Sequence, residues 1–180
     1  MEQMAGATPG ARSSFTQRMI GAATLNIPTY EEVEHDRTAT GQAAGVVAIV
    51  AVASAIGAIG AGGAAVIVAL VMAFVGWVLW SALTLFIGTR LFEGTSDMGE
   101  MLRVLGFAQS AGVLYVVGIL PFLGGLVKLA VAIWLLICGV VGVRQALDFT
   151  TGKAIATVVI GWLVYLLAAV LFRVLFGWMY

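Results

Sequence analysis

His35 and Cys138 are the chain's one histidine and one cysteine. A thiol beside an imidazole is the nucleophile–base pairing that does covalent chemistry. Their placement works against it: His35 precedes the first long apolar run and Cys138 lies in the middle of a later one. The two cannot meet without gross rearrangement, and one cysteine allows no disulfide within the chain. No Cys/His cluster has zinc spacing. No glycine loop with an adjacent Lys-Ser or Lys-Thr stands ready to cradle a phosphate. The acidic group Glu31, Glu32, Glu34 and Asp36 has two readings, attraction for a cation or basic partner and a helix start favoured by its dipole. Arg144 and Asp148 stand at i, i+4 and suit a local ion pair. Among the polar residues inside apolar runs, Gln109, Ser110, Tyr115 and Tyr165 could line a cavity for a small neutral solute or lipid. The pair Gln109–Ser110 equally suits hydrogen bonding between helices. No Asp, Glu or His lies mid-run, which counts against an ion- or proton-coupled carrier. No catalytic residue, metal site or cofactor follows from these residues.

The elements that position these groups are dictated by hydropathy. Of 180 residues, 62% are hydrophobic and 10% charged, against about 25% charged in soluble domains. From Thr38 to Thr89 there is no charged residue. As one helix that run would be about 78 Å long, far beyond the roughly 30 Å of a bilayer core. It must fold back, and Gly60-Ala61-Gly62-Gly63 supplies the break. The pattern predicts an all-α, polytopic transmembrane helical bundle. Its five spans fall near 41–59, 64–88, 104–120, 126–143 and 154–172, with Pro121 and Gly124-Gly125 turning the chain between the third and fourth. A four-span alternative makes the third and fourth a shallow re-entrant hairpin.

Residues 1–29 read as a disordered or interfacial segment and 30–180 as the transmembrane domain. Nothing in Met1–Asn26 resembles a cleaved secretory signal. Phe15, Met19, Ile20 and Ala23 recur at helical spacing, which suggests a short interfacial helix ended by Asn26-Ile27-Pro28. Thr29 and Glu32 have capping-box spacing, so a second short helix is predicted from Tyr30, its acids at or outside the headgroups. Met98, Met101, Leu102 and Leu105 predict an amphipathic helix along the membrane ahead of the third span. Trp178 and Tyr180 suit an interfacial belt.

Five spans put the termini on opposite sides. With the N-terminus inside, Arg12, Arg18, Arg37, Arg90, Arg103, Arg144 and Lys153 are inside, and only Lys128 and Arg173 are outside. Seven against two follows the positive-inside rule. Formal charge is zero, which gives no electrostatic reason to expect nucleic acid as a partner. The first span is built from small residues. Gly41 and Gly45 form a GxxxG, and Ser54 continues the small-residue face, so these three are expected at a helix-packing seam, within the chain or between copies.

Three stretches carry a resemblance: YEEVEHDRTATGQA from Tyr30, SDMGEMLRVLGFAQSAGVL from Ser96 and LPFLGGLVKLAVAIWLLICGVVGVRQALDFTTGKA from Leu120. Together they resemble the Yip domain family, five-span proteins named for binding Ypt/Rab GTPases. The resemblance covers about Tyr30 to Phe172. It is most specific in the acidic lead-in, at Leu102–Phe107, at Trp134 and at Gly142–Arg144. It implies a helical bundle with a cytosolic N-terminus and no catalytic residues. In eukaryotes the family is tied to Golgi and endoplasmic reticulum traffic, GTPase binding and membrane shaping. This chain departs in its short N-terminal region and in Ala111, where many members have Pro. The compact form is similar to prokaryotic members, so GTPase binding is not carried over and the prokaryotic cytoplasmic membrane is the expected location. The expectation is a non-enzymatic scaffold or membrane organiser whose partners are lipids, other membrane proteins or a second copy. The inner face would act through Tyr30, Glu31, Glu34, Asp36, Arg103 and Arg144.

Overall fold

The computed structural model describes residues 13–56, 63–120 and 123–176. The calls of disorder over residues 1–12, of a break at Gly60-Ala61-Gly62, of a turn at Pro121 and of a belt at Trp178 and Tyr180 lie outside the described residues. Every regular element among them is helical: α1 (Phe15–Ala23), α2 (Ile27–His35), α3 (Ala39–Ile56), α4 (Gly63–Phe92), α5 (Met98–Ala108), a 3-10 segment (Gln109–Ile119), α6 (Gly124–Ala146) and α7 (Thr151–Phe176).

Five helical stretches are long and apolar enough to cross a membrane: α3, α4, α5 with the 3-10 segment, α6 and α7. Their outward faces are apolar, with Ile67, Val71, Leu79, Leu126, Leu163 and Leu167 all exposed. A surface of this kind is stable only with lipid as solvent. The core holds Ala43, Val46, Val47, Val104, Phe107, Cys138, Val143 and Val158.

Local chemistry sets the boundaries, and several differ from expectation. The fourth helix runs to Phe92 through Arg90 because it is Glu93, with φ 60°, that turns the chain. The second short helix starts at Ile27, not Tyr30. Asn26 accepts from the Thr29 backbone and Pro28 occupies the first turn, where its missing N–H costs nothing. The segment from Met98 packs into the bundle as the first part of the third candidate span rather than standing apart ahead of it. Asp97 and Glu100 form a capping box at its start, and Met101 and Arg103 through Ala108 are buried within the bundle. It runs straight into the 3-10 segment, an unusually long one for that geometry. The 3-10 segment packs chiefly between α3 and α6. One glycine explains the α3–α5 approach: a Cβ on Gly106 would lie 2.8 Å from that of Ala43 and 3.3 Å from its backbone.

Candidate functional site

The first two helices form an antiparallel hairpin, and its inner face is charged. Ser14 starts α1 with a capping box to Gln17, and Leu25, with φ 62°, reverses the chain. Helical spacing turns Phe15, Arg18, Met19 and Ala22 towards the bundle: Arg18 and Ala22 are buried, Phe15 and Met19 pack on the core, and Ile20 points out.

Arg18 is 1% exposed. Its guanidinium donates to Glu32 Oε1 at 2.8 and 3.1 Å, to Asp36 Oδ2 at 2.7 Å and to Gln42 Oε1 at 3.0 Å. One side chain thus ties together α1, α2 and the first turn of α3. Burial works against the Arg18 charge, but its bonds and attraction to the two carboxylates outweigh it and hold the pKa above the ordinary value. Glu32 also accepts from the Ser13 backbone at 2.9 Å; these bonds overcome its own burial and keep its pKa low. Asp36 accepts from the backbone and hydroxyl of Thr38 and from Arg18, which brings it down to about 2.

A second arginine holds the other end of the hairpin. Arg103 of α5 is 5% exposed. It donates to the carbonyls of Val33 and Glu34 at 3.0 Å each, with a further short contact to Glu34 O. These are last-turn carbonyls of α2, which lack helical partners and carry the negative end of the dipole. Burial pushes the Glu34 carboxyl up to about 7; His35 opposes this, while Glu100, Asp148 and Glu31 add to it.

The tip of the hairpin is pinned to α6. Tyr30 is fully buried, and its hydroxyl donates to Ala22 O at 2.9 Å, with Cys138 O at 3.4 Å. Trp134 donates its indole N–H to Ala23 O at 2.8 Å. Cys138 and Trp134 lie eight and twelve residues before the end of α6 at Ala146, about 12 and 18 Å along the helix. The hairpin therefore flanks one half of the bundle only. The same end carries the α4–α5 and α6–α7 loops, joined by Thr95 to Asp148 and by Lys153 Nζ to Phe92 O. The hairpin's outer face, with Thr16, Gln17, Ile20, Thr24, Asn26 and Glu31 exposed, is mixed in polarity.

Of the six inner-face residues named from sequence, Tyr30, Glu34, Asp36 and Arg103 lie in or beside these contacts. Arg144 and Glu31 form a looser chain through Gln145, which accepts from Arg144 Nε at 3.0 Å and donates to Glu31 at 3.2 Å. The expected Arg144–Asp148 pair is not among the ion pairs of the described residues, which are both made by Arg18. The α6 helix ends at Ala146 and Asp148 has φ 54°, so helical i, i+4 spacing no longer applies. Within the chain, the first-span glycines sit away from close seams: an added Cβ on Gly41 meets nothing within 4 Å and one on Gly45 meets only Phe15 at 3.8 Å. Ser54 is half-buried. The tight approach is at Gly106 instead, because the inward face of α3 is Ala39, Ala43, Val46 and Val50.

The four cavity residues do not line one cavity. Gln109, Tyr115 and Tyr165 border three neighbouring hollows that share Trp80, while Ser110 is buried elsewhere with no hydrogen-bond partner among the described residues. Sequence reasoning missed the roles of Arg18 and Glu32, the latter named only within the acidic group, and of Gln42 and the Trp134 anchor. A readable signal existed for the first two: an arginine on the apolar stripe of α1, and Glu32 and Asp36 one turn apart on α2.

A profile of the Yip1 domain matches residues 6–172. The chain belongs to the Yip1 domain family. The match takes in α1 and α2 as well as the spans, so the charged hairpin lies within the Yip1 domain. No curated protein and no solved structure shows a significant match. The Yip1 family is not a known enzyme family, and among the described residues no group of three or more His, Cys, Asp or Glu is placed to hold a metal ion.

Proposed function

We propose that this Yip1 protein is a non-enzymatic organiser of membrane shape. The observation that carries the reading is the α1–α2 hairpin fixed to one half of the bundle. That half presents seven helices in section and the other half five. At about 10 Å per helix, the hairpin adds about 40% to the cross-section at one membrane face. A wedge held by buried contacts inserts that area permanently into one leaflet, and the asymmetry favours a membrane curved towards the wide end. The seven-to-two distribution of bases supports a cytoplasmic wide end, in keeping with a bacterial or archaeal cytoplasmic membrane. The same face, with Glu31, Arg144 and their neighbours, is where another membrane protein or a second copy would dock.

The test is curvature sorting. Labelled protein is reconstituted in giant vesicles with its wide end outward, and a narrow tube is pulled from each vesicle. Higher protein density on the tube than on the parent vesicle supports the proposal. Equal density, or depletion, overturns it.

A further inference from the structure

We propose that the end of α2 is a docking site for a lysine- or arginine-rich juxtamembrane segment of another membrane protein, with Glu34 at its floor and Glu31, Glu100 and Asp148 at its rim. The proposal rests on the docking role given above to the wide end and names what that face takes; it is independent of curvature.

Glu34 is the starting point. Three charged side chains are buried among the described residues: Arg18, Arg103 and Glu34. The two arginines are answered, one by Glu32, Asp36 and Gln42, the other by α2 carbonyls. Glu34 is 8% exposed. Its backbone oxygen accepts from Arg103, but its carboxyl forms no hydrogen bond or ion pair with the described residues. A buried carboxylate without a partner is costly. A proton removes the charge but leaves an O–H with no acceptor.

Helical spacing aims the side chain. Glu34 lies one turn beyond Tyr30, which faces α6, so it points to where α6 ends. There the charges of Glu100 from α5, Asp148 from the α6–α7 loop and Glu31 from α2 act against its ionisation, with His35 opposing them. The neighbouring arginines are turned elsewhere: Arg103 to the Val33 and Glu34 carbonyls, Arg144 to Gln145 and Arg18 to Glu32 and Asp36. The rim acids are held but not neutralised. Glu31 accepts from Gln145, Glu100 from Ser96 and the Asp97 backbone, and Asp148 from Thr95. These donors are all uncharged, and the second oxygen of each carboxylate has no bond among the described residues.

The arrangement selects the occupant. Glu31 and Asp148 are exposed, Glu100 is half-buried and Glu34 is buried, so negative charge runs inward from an open mouth. Among the described residues no three acids are placed to hold a metal ion. A lysine or arginine side chain has an apolar stem to pass the rim and a cationic head with several donors for dispersed oxygens. Membrane proteins concentrate these residues where their spans leave the cytoplasmic face. This site stands at that level, beside the start of the third crossing stretch and the end of α6.

The experiment titrates the purified full chain, in nanodiscs of uncharged lipid, with a labelled peptide of alternating Arg and Ser, following fluorescence anisotropy. The same peptide with Gln for Arg is the control. The expected result is saturable binding of the Arg peptide alone that persists at about 150 mM salt. Glu34→Gln, matched in shape, should weaken it about tenfold, the worth of one charge-assisted hydrogen bond. Glu93→Gln, which removes an exposed acid outside the site, should weaken it less than about twofold. Because the cation needs the ionised carboxyl, binding should tighten several-fold from about pH 6 to about pH 8; any slope that survives in Glu34→Gln belongs to His35. Equal losses in the two variants, an unchanged pH slope in Glu34→Gln, or no saturable binding overturns the proposal. Displacement of the peptide by micromolar calcium would mark a metal site and overturn it as well. None of these readouts depends on membrane shape, so failure here leaves the curvature reading standing.

Discussion

Replacing Arg18 with Met should release the hairpin while leaving the five spans packed. The substitution removes four hydrogen bonds and strands two carboxylates: Asp36, whose side chain is 9% exposed, and Glu32, at 28%. Taking one partner from a buried ion pair costs about 3–5 kcal/mol. Glu32 has partial access to water and Asp36 keeps its bonds to Thr38, so the lower end, about 3 kcal/mol, is expected. The readout is amide hydrogen exchange in α1 between Met19 and Ala22, which reports local opening. A loss of about 3 kcal/mol accelerates exchange roughly a hundredfold, while amides in α3 and α6 change little. The triple variant Arg18→Met, Glu32→Gln, Asp36→Asn should recover most of the protection, because no charge is left unpaired. A single variant with wild-type exchange would refute the reasoning, as would a triple variant no better protected than the single one.

Glu34 makes stability depend on pH near neutrality. An unfolded Glu titrates near 4.5 and this one near 7, so the folded chain holds the extra proton between those values. Stability therefore falls as pH rises from about 4.5 to about 7 and is level above. His35, held above its usual pKa first by the Glu31 carbonyl and then by Glu34, loses its contribution as pH rises through its folded pKa, so the comparison is made with His35→Asn in both backgrounds. Glu34→Gln should gain stability over the parent between pH 5 and pH 7.5 by thermal scans in detergent; a pH-independent difference would show that burial of the carboxyl is not the cause. Gly106→Leu should destabilise the bundle by about 3 kcal/mol or more, because the Ala43 backbone stands in the way. Gly41→Leu should change stability by less than about 0.5 kcal/mol. Equal losses in the two would refute the assignment of the α3 seam, and a Gly41→Leu variant that alters only oligomeric state would mark that face as intermolecular.

Hydropathy made the spans readable because lipid imposes one rule on every outward side chain, and the Thr38–Thr89 run admits few architectures. The ends were less readable. A charge such as Arg90 does not stop a helix, whereas a left-handed residue such as Glu93 does, and composition does not announce it. The Met98 segment looked interfacial because Met98, Met101, Leu102 and Leu105 recur at helical spacing beside charges such as Arg103. The Arg103 charge is matched by α2 carbonyls some seventy residues away in sequence, a pairing that no local window contains.

The hairpin shows the same limit and explains why its charges matter. Arg18 reaches partners 14, 18 and 24 residues away, so each charge looked like a solvated interfacial group when read alone. Paired, they do what an apolar contact at a membrane face cannot. An apolar face gains little by leaving lipid for protein, since both are hydrocarbon-like. A guanidinium held by two carboxylates is costly to separate in either medium, and here one geometry engages four of its five N–H donors. The charges therefore fix where the hairpin sits, and the tip bonds of Tyr30 and Trp134 fix how deep. A wedge held by position-specific polar bonds keeps its shape as the surrounding lipid changes, which is the property a curvature-setting element requires.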